Sequence, residues 1–349
     1  MLEIKEYVHD IREIADIPYN WIKLHNKTVM ISGATGMIGK FLVDLLMYRN
    51  ESDNLNCTVV ALGRNAKKAE SRFPEWLNDE HFIFVEQDIT KPIDYEGHVD
   101  YIIHAASNTH PLAYSSDPIG TITANVDGTR NLLDLAQKNE NSRFVFLSSV
   151  EIYGQNRGDV ELFREDYCGY INSNTLRAGY PESKRVGEAL CQAYKKQYGV
   201  DVVIPRLSRV YGPTMLLNDS KALSQFILKG VNNEDVILKS EGLQYFSYIY
   251  VADCVSAIIK IMLDGENGEA YNVGDENSNI HLKDLANIIA NYNNKQVIFE
   301  LPSEAERAGY STATTALLDT TKLKELGFNA KTNINEGLNK TITIIKQFI

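Results

Sequence analysis

Tyr180 and Lys184 stand four residues apart in Tyr180-Pro-Glu-Ser-Lys184. On a helix that spacing puts a phenol and an ammonium on one face. A phenol of ordinary pKa ~10 is a poor base at neutral pH, and a neighbouring cation favours its phenolate. A serine hydroxyl beside it would complete a set that grips a substrate alcohol and takes its proton. Ser148-Ser149 follows the apolar run Arg143–Leu147. A strand there would present the serines at its C-terminal end, the edge where open parallel sheets bind ligands.

A second group of residues points to a phosphate. Gly33-Ala-Thr-Gly36-Met-Ile-Gly39 lies between the apolar run Thr28–Ser32 and a segment, Met37–Arg49, with apolar residues at helical spacing. Between a strand and a helix, Gly-x-x-Gly-x-x-Gly lets backbone N–H groups approach a pyrophosphate, whose charge the helix N-terminus favours. An NAD site then usually shows a carboxylate after the second strand, bonded to the ribose hydroxyls. Here that strand runs into Leu62-Gly63-Arg64-Asn65, with Lys67 and Lys68 beyond. Arg64 would suit a 2′-phosphate and tilts the expectation toward NADP; a solvated basic turn is the alternative, and both cofactors stay open.

The elements that must hold these groups alternate. Apolar runs at Cys57–Leu62, His81–Val85, Val99–His104, Arg143–Leu147 and Asp201–Pro205 read as strands, and Ile122–Asn139 and Tyr180–Tyr198 as helices. Continuous apolar strands alternating with helices imply a parallel sheet covered on both faces. Beyond about Tyr211 the rhythm changes to helices at Lys221–Lys229, Val251–Leu263 and Leu282–Tyr292 between Gly- and Asn-rich loops. The expected architecture is a doubly wound α/β domain over 28–210, with returns near 245–275 (Tyr248–Val251 and Ala270–Val273). A smaller, discontinuous domain over 211–349 would take the substrate. Residues 1–27 form an amphipathic helical extension without a signal-peptide core.

Composition narrows the function. The 349 residues carry 35 Lys and Arg against 46 Asp and Glu, a net charge of −11. That argues against a general nucleic-acid or anionic-membrane binder. Cys57, Cys168, Cys191 and Cys254 show no CxxC spacing, which suggests reduced thiols and no metal site. No apolar run approaches the ~20 residues of a membrane span. A cytoplasmic enzyme is the expectation.

Together these stretches resemble the extended short-chain dehydrogenase/reductases, in the nucleotide-sugar epimerase/dehydratase group. The resemblance runs over about 28–345 and rests on GATGMIG (33–39), QDIT (87–90), HAAS (104–107), NVDGTRNLL (125–133), SSVEIYG (148–154), YPESK (180–184), PRLSRVYGP (205–213) and YIYVAD (248–253). It implies a Rossmann-type fold, bound NAD or NADP, a nucleotide-diphosphate sugar as substrate and a homodimer. Gly33, Gly36, Met37, Ile38 and Gly39 would hold the pyrophosphate. Asp88 and Ile89 would touch the adenine, and Ala105, Ala106 and Ser107 would pass under the cofactor. Asn125 would order the active-site backbone. Ser149 and Tyr180 would grip the reacting hydroxyl, while Lys184 would bond the nicotinamide ribose and tune Tyr180.

Members of this group typically oxidise a sugar at C4 to a 4-keto intermediate, then return the hydride after epimerisation, dehydration or decarboxylation. Glu151, two residues after Ser149, resembles a residue common in dehydratases and decarboxylases, where it would act as a base near C5; a structural carboxylate is the alternative. Many 4,6-dehydratases place an Asp where this chain has Val150, and the helix at 184–200 is most similar to UDP-glucuronate decarboxylases. Two positions depart from the pattern. Phe246 stands where an Arg usually contacts the substrate diphosphate, and Arg209 stands where Asn is usual. The expectation is that Arg209 takes over the phosphate, with Arg307 a further candidate; internal pairing of Arg209 is the alternative. An epimerase or dehydratase is the first reading and a decarboxylase the second. A non-catalytic NAD(P)-binding sensor, which would not need Ser149, Tyr180 and Lys184, is the third.

Overall fold

The computed structural model describes residues 1–109, 114, 116–300 and 313–349. Helix α1 (Lys5–Ala15) precedes the first strand. The chain then runs β1 (Thr28–Ser32), α2 (Met37–Asp53), β2 (Thr58–Gly63), α3 (Ala66–Arg72), β3 (Phe82–Glu86), β4 (Tyr101–His104), α4 (Pro118–Lys138), β5 (Arg143–Phe146), β6 (Ser148–Ser149), α5 (Gly179–Tyr198) and β7 (Asp201–Leu207). After it come β8 (Arg209–Tyr211), α6 (Ala222–Val231), β9 (Val236–Leu238), β10 (Tyr245–Tyr250), α7 (Val251–Asp264), β11 (Ala270–Val273), β12 (Asp275–His281), α8 (Leu282–Tyr292), β13 (Val297–Phe299), β14 (Thr315–Ala316), α9 (Thr321–Glu325) and α10 (Ile334–Phe348).

The main sheet has the order β11-β7-β5-β4-β1-β2-β3, with β6 pairing β7 beyond the end of β5. Its pairs are parallel. The expected α/β class is therefore what the chain adopts. Strand order reverses between β1 and β4, and that switch point opens the crevice in which such sheets take ligands. Two apolar cores lie on the two faces of the sheet. One holds Phe41, Leu45, Val255 and Ile259 from α2 and α7; the other holds Leu132, Leu133 and Cys191 from α4 and α5. A second sheet, β12-β10-β14 with β8 on β10, sits beyond. The chain passes from the first sheet to the second between Leu207 and Arg209.

Three boundaries differ from expectation, each for a local reason. α4 starts at Pro118 rather than Ile122 because Asp117 caps it, accepting the Gly120 N–H at 3.0 Å, and proline suits the first turn. β7 does not stop at Pro205. Ile204 donates toward the β11 side, to Glu269 O at 3.0 Å. The alternation of a strand therefore points the Pro205 nitrogen toward the break between β5 and β6, where no ladder bond is lost. Tyr248–Val251, expected to return to the first domain, divides: Tyr248–Tyr250 lies in β10, paired with β8, and α7, which begins at Val251, packs on α2. Ala270–Val273, as β11, pairs with β7.

Candidate active site

The glycine loop is packed too closely for other residues. Gly33 has φ +70°, and a Cβ on it would lie 2.7 Å from Ala106 Cα. A Cβ on Gly39 would lie 2.5 Å from Gly33 O and 2.6 Å from Ala34 Cα. Gly36 caps α2, and Met37 and Ile38 form its half-buried first turn. The first N–H groups of a helix have no partner within it. Here they sit at the C-terminal end of β1, so the loop fits a dinucleotide pyrophosphate by shape and by charge.

The loop after β4 closes the other side of the crevice. Ala105 N donates to Ser32 O at 3.2 Å and Ala106 N to Ser32 Oγ at 3.3 Å. Ser107 Oγ donates to Asn125 Oδ1 at 2.7 Å, and Asn125 Nδ2 donates to Ser183 Oγ at 2.8 Å. Fully buried, Asn125 thus links the β4 loop to the turn of α5 that carries Tyr180 and Lys184. On the adenine side, Asp88 caps a turn by accepting the Thr90 N–H at 2.9 Å. Ile89 is buried, packed over Gly128. Arg64 is exposed at the end of β2.

Ser149 stands beside the Tyr180 phenol, and its Oγ accepts Glu151 N at 3.2 Å. Burial pushes the Tyr180 phenol up to about 12, with the Ser149 hydroxyl and Arg177 pulling the other way and Glu151 adding to the rise. Lys184 is buried one helical turn beyond Tyr180. Its ammonium donates to Leu147 O at 2.8 Å and stands 4.8 Å from the Phe146 ring centroid. Burial brings it down to about 8. Arg177 is a further cation near the phenol, and its charge lowers the Tyr180 pKa.

Glu151 sits between two guanidiniums. Arg177 Nη2 lies 2.8 Å from Oε2 and Arg209 Nη2 lies 3.6 Å from Oε1. Arg209, on β8, stacks 3.4 Å from the Phe246 ring centroid; Phe246 is two residues before Tyr248, the β10 partner of Arg209. The two departures from the family pattern are thus neighbours, and the cation present at 209 hangs over the side chain at 246. Internal pairing leaves capacity over. Arg177 Nε and Nη1 and Arg209 Nη1 are buried without a hydrogen-bond partner among the described residues. Tyr114 lies between these groups, 5.2 Å from the Tyr180 ring and 4.7 Å from the Arg177 guanidinium. Arg177 and Tyr114 were not anticipated. Arg177 is one helical turn before Tyr180, a spacing that marks a neighbour, whereas Tyr114 carries no sequence signal. Arg307 lies outside the described residues.

Residues 29–274 match the model of the NAD dependent epimerase/dehydratase family. The chain belongs to this family. It is therefore an NAD-dependent enzyme, and NAD is the one of the two dinucleotides left open above that the family uses. The chain is 32% identical over 319 residues to UDP-glucuronic acid decarboxylase 1 of Danio rerio, covering 90% of this chain and 72% of that protein. It is 30% identical over 314 residues to UDP-glucuronic acid decarboxylase 5 of Arabidopsis thaliana, covering 90% and 87%. Among solved structures, an epimerase from Methanothermobacter thermautotrophicus superimposes with a TM-score of 0.81 at 20% identity, covering 94% of each chain. Among the described residues no helix is long and apolar enough to cross a membrane, and no cluster of His, Cys, Asp or Glu could hold a metal.

Proposed function

We propose that this enzyme oxidises C4 of the sugar in a nucleoside-diphosphate sugar and later reduces it again. The observation that carries the reading is the Ser149–Tyr180 pair at the sheet edge, across from a glycine loop shaped for a dinucleotide. NAD, when bound, supplies the hydride acceptor and a positive ring. Tyr180 takes the proton of the C4 hydroxyl as the C4–H bond gives up its hydride, leaving a ketone. Ser149 holds the same oxygen. Lys184 fixes the backbone at the end of β5, and Asn125 fixes the turn of α5. A phenol at about 12 is protonated at neutral pH, so the base form depends on the cations gathered around it.

Decarboxylation of a uronic-acid sugar is the second reading. The two relatives above are named as UDP-glucuronic acid decarboxylases, and Arg177 presents two buried donors, unpartnered among the described residues, beside Glu151 and Tyr180. A guanidinium fork suits a sugar carboxylate. Arg209, which occupies the place of the missing cation at 246, is assigned to the diphosphate. The test is turnover of UDP-glucuronate and UDP-glucose with products read by mass: loss of CO₂, loss of water or no change separates the three outcomes. Arg209→Ala should raise KM for both substrates, consistent with the roughly 2–5 kcal/mol of a truncated buried charge contact. Arg177→Met should raise KM for UDP-glucuronate alone. Equal KM for the two substrates in that variant removes the carboxylate reading.

We also infer a homodimer. Ile119, Ile122 and Val126 on α4, and Val186, Ala189 and Ala193 on α5, set an apolar stripe on the outer face of the two paired helices, with Ile119 75% and Val186 42% exposed. A second copy of the same stripe would cover it with two-fold symmetry.

A further inference from the structure

Helix α1 lies before the segment that matches the family model, and it is tied into the cofactor side of the molecule by a buried network. Asp44 of α2 is fully buried. Its carboxylate accepts Tyr7 Oη at 2.5 Å, Trp76 Nε1 at 3.0 Å and Lys40 Nζ at 2.7 Å to each oxygen. Tyr7, Lys40 and Trp76 are buried as well. Asp44 sits seven residues, or about 10 Å of helix, from Met37, the first residue of the turn that faces the pyrophosphate. A carboxylate held by three side chains fixes where that helix can lie.

One turn along α1, on the same face, Asp10 makes the opposite attachment. It accepts Tyr250 Oη at 2.6 Å and Lys340 Nζ at 2.9 Å. Tyr250 ends β10, the strand that carries Phe246 and Tyr248, and Lys340 is on α10. A third tie runs directly between the two sides: Thr214 Oγ1 donates to Met37 O at 2.8 Å, and Arg72 Nη2 donates to Thr214 O at 2.7 Å. α1 therefore spans from the pyrophosphate helix to the second sheet with two side chains spaced by three residues.

We propose that residues 1–27 are a strap whose Tyr7 and Asp10 act as positioning residues, setting α2 against β10 and so holding the cofactor turn and the substrate wall in register. This rests on the family's use of NAD and on the assignment of Arg209, on β8 and stacked on Phe246 of β10, to the substrate diphosphate, which makes those two strands the substrate wall. Its first readout, NAD affinity, does not depend on which sugar is turned over.

The test uses the full chain with Tyr7→Phe and Asp10→Asn. Tyr7→Phe keeps the ring that packs edge-on to Phe41 at 5.7 Å and removes only the hydroxyl. Asp10→Asn keeps shape and removes the charge. NAD affinity is read by fluorescence titration, and KM and kcat with the turned-over nucleotide sugar, at a temperature where circular dichroism shows each variant folded. The expected result is a several-fold weaker NAD affinity in Tyr7→Phe, and a several-fold higher KM with kcat within about twofold in Asp10→Asn. A purely structural helix would lower Tm in both variants while leaving NAD affinity and KM at the parent values; that result overturns the proposal. Should a nucleotide sugar fail to turn over, weaker NAD binding in Tyr7→Phe still supports the strap and unchanged binding still refutes it. The failure of the sugar reading is therefore distinguishable.

Discussion

Burial acts in opposite directions on the two ionisable groups of the Tyr-x-x-x-Lys pair, and each direction is measurable. Tyr180 is pushed up to about 12, so below that pH the phenol keeps its proton unless a cation is brought to it. Tyr180→Phe should leave folding and NAD affinity intact and lower kcat by the roughly 10²–10⁴-fold that acid–base catalysis supplies, measured under saturating substrate. Lys184 is brought down to about 8 from 10.5. Between these values the unfolded chain binds a proton that the folded chain does not, so stability rises with pH across that window and is lost as pH falls to about 8. The gap corresponds to ~3 kcal/mol as an order of magnitude. Denaturant unfolding from pH 8 to 10.5 should show wild type gaining stability relative to Lys184→Met; parallel curves would mean that the lysine is not desolvated. Arg177 shows why residue-level reading ran short. Its position three before Tyr180 was visible, but its meaning depends on Glu151 lying across the crevice, a contact made by the fold and not by spacing.

At the scale of elements, the turn between β1 and α2 carries the sharpest expectation. Any residue but glycine at 33 would need φ +70° and a Cβ inside the Ala106 backbone. Left-handed backbone costs an L-residue roughly 1–2 kcal/mol, and the contact must be relieved by moving the β4 loop. Gly33→Ala should therefore lower stability by about 1–3 kcal/mol and weaken NAD more than tenfold, read by thermal unfolding with and without NAD. A variant bound as tightly as wild type would show the loop to be a structural turn only. Arg64 stands at the end of the next strand, exposed and free to meet a 2′-phosphate. Arg64→Ala should leave NAD affinity unchanged and weaken NADP by titration; equal effects would remove its role as a discriminator. The strands of the main sheet were legible because a strand buried on both faces is a continuous apolar run. The sheet to which β10 belongs was hidden for the same reason: Tyr245–Tyr250 is as apolar as a main-sheet strand, and only its partners β8 and β12 put it in the second sheet. Pro205 hid the end of β7, since the gap that tolerates it is made by β5 and β6, more than fifty residues earlier in the chain.

For the whole molecule, the outer face of the α4–α5 layer carries the proposed homodimer contact. Those two helices pack on each other and cover one core with their inner faces. Ile119 and Ile122 on one and Val186 on the other remain exposed. Exposed apolar residues grouped on one face of two adjacent helices mark a surface that pairs. A self-complementary pairing would form a four-helix layer between the two sheets, and it would bring the second α5 close to the helix that carries Tyr180 and Lys184. The wild-type chain should sediment as a dimer at micromolar concentration. Val186→Glu places a charge at the centre of the stripe on a residue that is already exposed as a single chain, so the fold should tolerate it. That variant should sediment as a monomer with NAD affinity retained, because Val186 is exposed on the outer face of α5 whereas Tyr180 and Lys184 are buried on its inner side. Wild-type sedimentation as a monomer, or a Val186→Glu variant that stays dimeric, would place the contact on another face, and the exposed isoleucines near the mouth of the crevice would then need a different account.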